Sequence, residues 1–105
     1  MLAYLDGEFV NEETAAVSIF DRGFLYGDTI YETMRAHRGR LLFWNEHEAR
    51  LRRSLELAFF ECDPRDRPLA GIAEELLRAN RLTSGVVRVT ISRGLADRDQ
   101  VTGYR

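Results

Sequence analysis

The order of elements in this 105-residue chain predicts an α+β domain: a two-layer sandwich with two helices packed on one face of a mostly antiparallel sheet. Three observations lead there. Short apolar runs broken by Gly-containing turn signals fill the first 43 residues. Two stretches with apolar residues at helical spacing follow, and a Val-rich run near the end returns as a strand.

In chain order, Ala3–Asp6 and Glu8–Val10 read as a hairpin turning at Asp6-Gly7, a strong short-range hairpin signal. Ala16–Phe20 is expected to be a third strand, ended by Asp21-Arg22-Gly23, with a loop after it that carries Gly23 and Gly27. Thr29–Ala36 and Arg40–Phe43 form a second hairpin around His37-Arg38-Gly39. A helix then starts at Asn45, an N-cap residue with Glu48 three positions on as the second half of a capping box. Leu51, Leu55, Ala58 and Phe59 make its buried stripe. Cys62-Asp63-Pro64 separates it from a second helix, where Leu69, Ile72, Ala73, Leu76 and Leu77 share a face and Asn80 or the residues just after it end the run. Val86–Ser92 is the last strand, and the polar segment 93–103 is a loop.

Composition narrows the function. The length suits one domain with a modest core. The apolar fraction of 45% is that of a globular chain rather than a disordered one. With a net charge of −2 and arginines interleaved with acids, no basic face is set up for nucleic acid. All fifteen Lys+Arg residues are arginine, so no side-chain amine is available to form a Schiff base. Cys62 is the single cysteine, which excludes an internal disulfide and fits a reducing compartment. The acidic N-terminus lacks the charge and apolar pattern of a signal peptide, and no apolar run approaches the ~20 residues that span a bilayer. The chain is expected to be cytoplasmic, without a membrane partner.

Candidate functional residues follow from position. Arg50, in the second turn of the first helix, either grips a phosphate with its planar fork or pairs with Glu46 one turn back. Strand alternation puts Thr29, Tyr31, Thr33 and Arg35 on one face and Ile30, Glu32, Met34 and Ala36 on the other. Neither set is wholly apolar, so one face meets something polar such as a pocket, with Tyr31 either lining it or half-buried in the core. Arg88 shares a polar strand face with Thr90 and Ser92 that either receives a carboxylate or is solvated. The Gly23–Asp28 stretch lacks the Gly-Lys-Ser/Thr ending of a phosphate loop. His37 falls at a turn, His47 is expected to fix a loop near the helix start, and one cysteine with two separated histidines offers no zinc set.

Taken together, LDGEFV, DRGFLYGDTIYET, GRLLFWNEHEARLRRS and VVRVTISRG resemble, in order and across nearly the whole chain, the N-terminal domain of class IV (fold type IV) pyridoxal-phosphate-dependent enzymes. That group contains branched-chain aminotransferases, D-amino-acid aminotransferases and aminodeoxychorismate lyases. The resemblance implies pyridoxal 5'-phosphate as cofactor, with Arg50 of HEARL on its phosphate and Tyr31 of GDTIYE lining the substrate pocket. It also implies an amino acid and a 2-oxo acid as substrates and a homodimer as the assembly. Arg88 matches a carboxylate-binding arginine of the branched-chain enzymes, although Val86 replaces the tyrosine typical of that subgroup. Arg98 matches a carboxylate-binding arginine of the D-amino-acid enzymes, and Gln100 stands in the substrate loop where that subgroup carries a histidine. The family's catalytic lysine and the acid facing the pyridine nitrogen lie in a C-terminal domain. Residues 1–105 are therefore expected to be the small N-terminal domain of an aminotransferase, without a catalytic residue and inactive alone. The alternatives are an aminodeoxychorismate lyase or a truncated, non-catalytic dimerisation fragment.

Overall fold

Positive backbone dihedrals at Asp6 (φ 50°) and Gly7 (φ 94°) close the first hairpin, β1 (Leu2–Leu5) with β2 (Glu8–Asn11), in the sense that matches strand twist. The computed structural model describes residues 1–97. Leu5 faces Glu8 across the turn, and Tyr4 meets Phe9 edge-on with ring centres 5.3 Å apart. Asn80 ties this ribbon to the helical layer: its Oδ1 accepts from the Leu2 amide at 2.7 Å and its Nδ2 donates to the Leu2 carbonyl at 2.9 Å.

The third strand expected at Ala16–Phe20 is not formed. Local bonds take the backbone groups a ladder would need: Ser18 Oγ accepts from the Phe20 amide, and the Ser18 carbonyl accepts from Asp21. Val17 and Ile19 are left exposed. The expected loop instead contains a short helix, α1 (Arg22–Tyr26), capped by Asp21, whose Oδ1 accepts from the Gly23 amide at 2.7 Å. Gly27 ends it at φ 67°.

The main sheet has three strands in the order β4-β3-β5, all antiparallel, with β3 (Thr29–His37) central, β4 (Arg40–Leu41) short and β5 (Gly85–Ser92) long. Arg38 and Gly39, both at positive φ, form the β3–β4 turn. On β3, Glu32, Met34 and Ala36 are buried while Tyr31, Thr33 and Arg35 are exposed. Only one face of this sheet is therefore covered.

The cover is α2 (Trp44–Leu57) and α3 (Leu69–Ala79), joined through a short 3-10 turn at Pro64–Asp66. This is the expected two-layer α+β arrangement. Met34, Ala36, Ala73, Leu77 and Val87 form the core, with Leu41, Trp44 and Val89 packed against it, and Leu51 and Leu55 are wholly buried. Two expectations for α2 are corrected. Its first acceptor is the Phe43 carbonyl, which bonds the His47 amide at 3.0 Å, so Phe43 (φ 58°) is the cap and Asn45 lies inside the helix. At the other end Phe59 is 85% exposed rather than buried. The helix stops at Leu57, and Phe59 takes φ 61°, which turns it off the stripe.

Candidate functional site

A carboxylate on the covered face of a sheet needs a cation, and Glu32, only 5% exposed, receives one from α2. Arg50 donates from Nε to Glu32 Oε2 and from Nη2 to Oε1, both at 2.7 Å, a side-on bidentate pair. His47, one turn earlier on the same helix face, brings Nδ1 to 2.7 Å from Oε1. These contacts, Arg50 foremost, hold the Glu32 carboxyl below its ordinary range against the opposing effect of burial. The Arg50 side chain is 60% exposed, and among the described residues its Nη1 has no hydrogen-bond partner. One edge of the guanidinium is thus fixed to the protein and the other is open.

Arg50 also lines a cleft of about 470 Å³ together with Phe43, Glu46, His47, Ala49 and Arg53. A second hollow of about 220 Å³ shares Phe43 and His47 and runs onto the sheet through Thr33, Arg35 and Val86. Two arginines and an imidazole against one glutamate give the larger cleft a donor set suited to an anion such as a phosphate ester. By the chemistry of this donor set, the residues present fit the phosphate end of pyridoxal 5'-phosphate.

The open sheet face carries the second group. Tyr31 is exposed, and Arg88 lies across its ring, the guanidinium carbon 4.0 Å from the centroid. The two strands bring them together diagonally, since Tyr31 is opposite Thr90 and Arg88 opposite Thr33. Arg88 Nε also lies 3.4 Å from Thr90 Oγ1. Tyr31 is thus not a core tyrosine, and it stands with Arg88 on the face of β3 opposite to Glu32. Arg98 and Gln100 lie outside the described residues. Arg50 pairs with Glu32 and not with Glu46.

Arg93 locks the end of β5 to both neighbouring segments. Its Nε donates to Asp28 Oδ2 at 2.6 Å, Nη2 to the Ala58 carbonyl at 2.8 Å and Nη1 to the Phe59 carbonyl at 3.2 Å, while its guanidinium sits 4.1 Å over the Phe60 ring. Asp28 precedes β3, so this one side chain ties the start of the Tyr31 strand to the end of α2. Sequence reasoning missed Glu32 and Arg93 as organising residues. The signal for Glu32 was available, as an acid placed among Ile30, Met34 and Ala36 on one strand face.

The profile of the family "Amino-transferase class IV" matches residues 29–104. The D-alanine aminotransferase of Staphylococcus epidermidis is 38% identical over 96 residues, covering 91% of this chain and 34% of its own length. A putative branched-chain-amino-acid aminotransferase of Methanocaldococcus jannaschii is 36% identical over 97 residues, covering 92% and 34%. Among solved structures, a hypothetical aminotransferase from Mycobacterium tuberculosis in its PLP-bound form superposes with a TM-score of 0.76 at 30% identity, covering 90% of this chain and 34% of that one. The chain spans about a third of the length of the curated relatives it matches. With residues 29–104, about seven-tenths of its length, inside the family profile, the chain belongs to the class IV aminotransferases.

Proposed function

We propose that this chain is the N-terminal domain of a pyridoxal-phosphate-dependent aminotransferase that moves an amino group between an amino acid and a 2-oxo acid. The observation that carries this reading is Arg50, pinned along one edge by buried Glu32 and among the residues lining an anion-suited cleft. In this reading Arg50 holds the cofactor phosphate, and the opposite face of the same strand presents Tyr31 and Arg88 to the substrate, the arginine directed at its carboxylate. Arg98 and Gln100 belong to the same proposal as further substrate contacts. The bound cofactor supplies an electron sink for the carbon that loses its proton. This chain's own residues bind and orient. They supply no side-chain amine, so the bond to the cofactor and the proton transfers fall to a C-terminal domain, and the chain alone is inactive. A homodimer in the cytoplasm completes the proposal. The single, exposed Cys62 suits a reducing compartment, and among the described residues no helix is long and apolar enough to cross a membrane.

Two measurements test it. Trp44, the sole tryptophan, begins the helix that carries Arg50, so its emission reports on ligand binding. Pyridoxal 5'-phosphate should bind more tightly than pyridoxal, and R50A should erase the difference; equal affinities in the unsubstituted chain would refute the phosphate role. The protein extended by its C-terminal domain should transaminate D- or L-amino acids with 2-oxoglutarate. Pyruvate release from aminodeoxychorismate with no transamination would assign the lyase instead.

A further inference from the structure

We propose that Glu32 is the positioning residue for Arg50: its carboxylate, on the rigid central strand, selects which edge of the guanidinium faces the cofactor phosphate, with His47 holding that carboxylate from the side. The inference rests on the phosphate role of Arg50 given above and adds what makes that role possible.

Arg50 leaves α2 on a flexible stem and is 60% exposed, and the only hydrogen bonds on its guanidinium among the described residues are the two to Glu32. Without them the fork would sample many rotamers, and a phosphate would have to order it on binding. Glu32 itself cannot swing. It is 5% exposed on β3, its backbone is paired with Val89 of β5, and both of its oxygens are engaged, Oε2 by Arg50 Nε and Oε1 by Arg50 Nη2 and His47 Nδ1. The side-on pair consumes Nε–H and one N–H of Nη2 and leaves the N–H groups of Nη1 for a ligand in the cleft that Arg50 helps to line. His47 and Arg50 stand three positions apart on α2, so a single helix face delivers both donors to one carboxylate.

Charge and geometry make opposite forecasts here, which makes the idea testable. Removing the Glu32 charge alone would leave Arg50 less neutralised and tighten an anion. Losing the orientation would weaken it. Positioning is expected to prevail, because an isosteric Gln cannot accept two bonds from the fork while keeping its own amide satisfied.

The test is an NMR titration of the 105-residue chain with inorganic phosphate and with pyridoxal 5'-phosphate, following the Arg50 Nε–H resonance in the wild type, E32Q, R50A and the double variant, with the amide spectrum as the check of fold. E32Q should bind each ligand about tenfold more weakly, its Nε–H should lose the downfield position and slow exchange that a carboxylate partner confers, and the substitution should have no effect on phosphate affinity once Arg50 is alanine. Undiminished or tighter phosphate binding by E32Q overturns the positioning role, as does an equal loss in the R50A background. Were E32Q not to fold, E32D takes its place with the same weakening expected, its shorter side chain being unable to keep both bonds. Should R50A bind phosphate as well as the wild type, the phosphate reading itself fails, an outcome separate from a failure at Glu32 alone.

Discussion

The Arg88 guanidinium carbon lies over the Tyr31 ring, 4.0 Å from its centre, although the two residues are not opposite each other in the β3–β5 ladder. The stack occupies the exposed sheet face, where a cation–π contact contributes about 0.5–1 kcal/mol. A double-mutant cycle of Y31A and R88A in urea denaturation should return a coupling of that size. If Arg88 holds the substrate carboxylate as proposed, R88A in the extended enzyme raises KM for the amino acid far more than it lowers kcat, because the carboxylate is unchanged in the reaction. Equal KM values for wild type and R88A would remove Arg88 from the substrate site.

Both long helices end in the same way, with an amide reaching back over a residue at positive φ. Phe60 bonds the Leu55 carbonyl across Phe59 (φ 61°), and Leu82 bonds the Leu77 carbonyl across Arg81 (φ 57°). Glycine favours that position because it has no Cβ to clash. F59G and R81G are each expected to stabilise the chain by about 0.5–1 kcal/mol, read as a higher urea midpoint. A lower midpoint for F59G would mean that its ring packs on something the isolated fold does not show.

Two glycines should respond oppositely to alanine. A Cβ on Gly23 would stand 2.6 Å from Thr29 Cγ2 and 2.8 Å from Asp21 Oδ1, contacts that force the α1 cap apart. G23A should cost about 1–3 kcal/mol. A Cβ on Gly71, inside α3, would meet nothing within 4 Å. G71A should gain about 0.5–1 kcal/mol from helix propensity. Thermal unfolding of the pair separates the two cases, and matching shifts would contradict the packing seen at Gly23.

Glu32 makes stability depend on acid. Its folded pKa is depressed, chiefly by the Arg50 hydrogen bonds, so its contribution is fully present above the unfolded carboxylate value, about 4.3. That contribution disappears as pH falls through the lower folded value. The urea midpoint of the wild type should exceed that of E32Q at pH 7, and the gap should close below pH ~4. Carboxylates common to both proteins cancel in the difference. A gap independent of pH would mean that Glu32 is not ionised against Arg50.

What could be read from the residues was mostly local. Asp6-Gly7 and Arg38-Gly39 announced their hairpins because a tight turn needs positive φ at those positions. The stripe Ala73, Leu77 announced the core face of α3 by its spacing. Ala16–Phe20 misled because its apolar content resembled a strand, while the side chain of Ser18 offered the backbone a competing local partner. The α1 helix had its own signal, an Asp cap at 21 and a Gly stop at 27, in a segment too short to show periodicity. For Arg50 the acid one turn back on the same helix, Glu46, is the local partner that spacing offers, but the true partner lies 18 positions earlier on another element. Phe59 kept its place on the stripe only on paper, since Arg93, 34 residues away, binds the carbonyls just past the end of α2. Long-range pairs of this kind are set by topology, and the linear order of residues does not contain them.

Tyr31 and Glu32 are adjacent in the chain yet serve opposite surfaces, because successive side chains of a strand point opposite ways. β3 therefore acts as a ruler with a one-residue gradation. Along a lineage, its side chains can be exchanged one at a time, and each exchange alters one surface. Gaining or losing a single residue within it would turn the carboxylate out to solvent and press the tyrosine ring into the core, undoing both ends of the site in one event. The tip of the β1–β2 hairpin is under no such constraint, so length variation in this domain should accumulate there and avoid the strand that measures out the site.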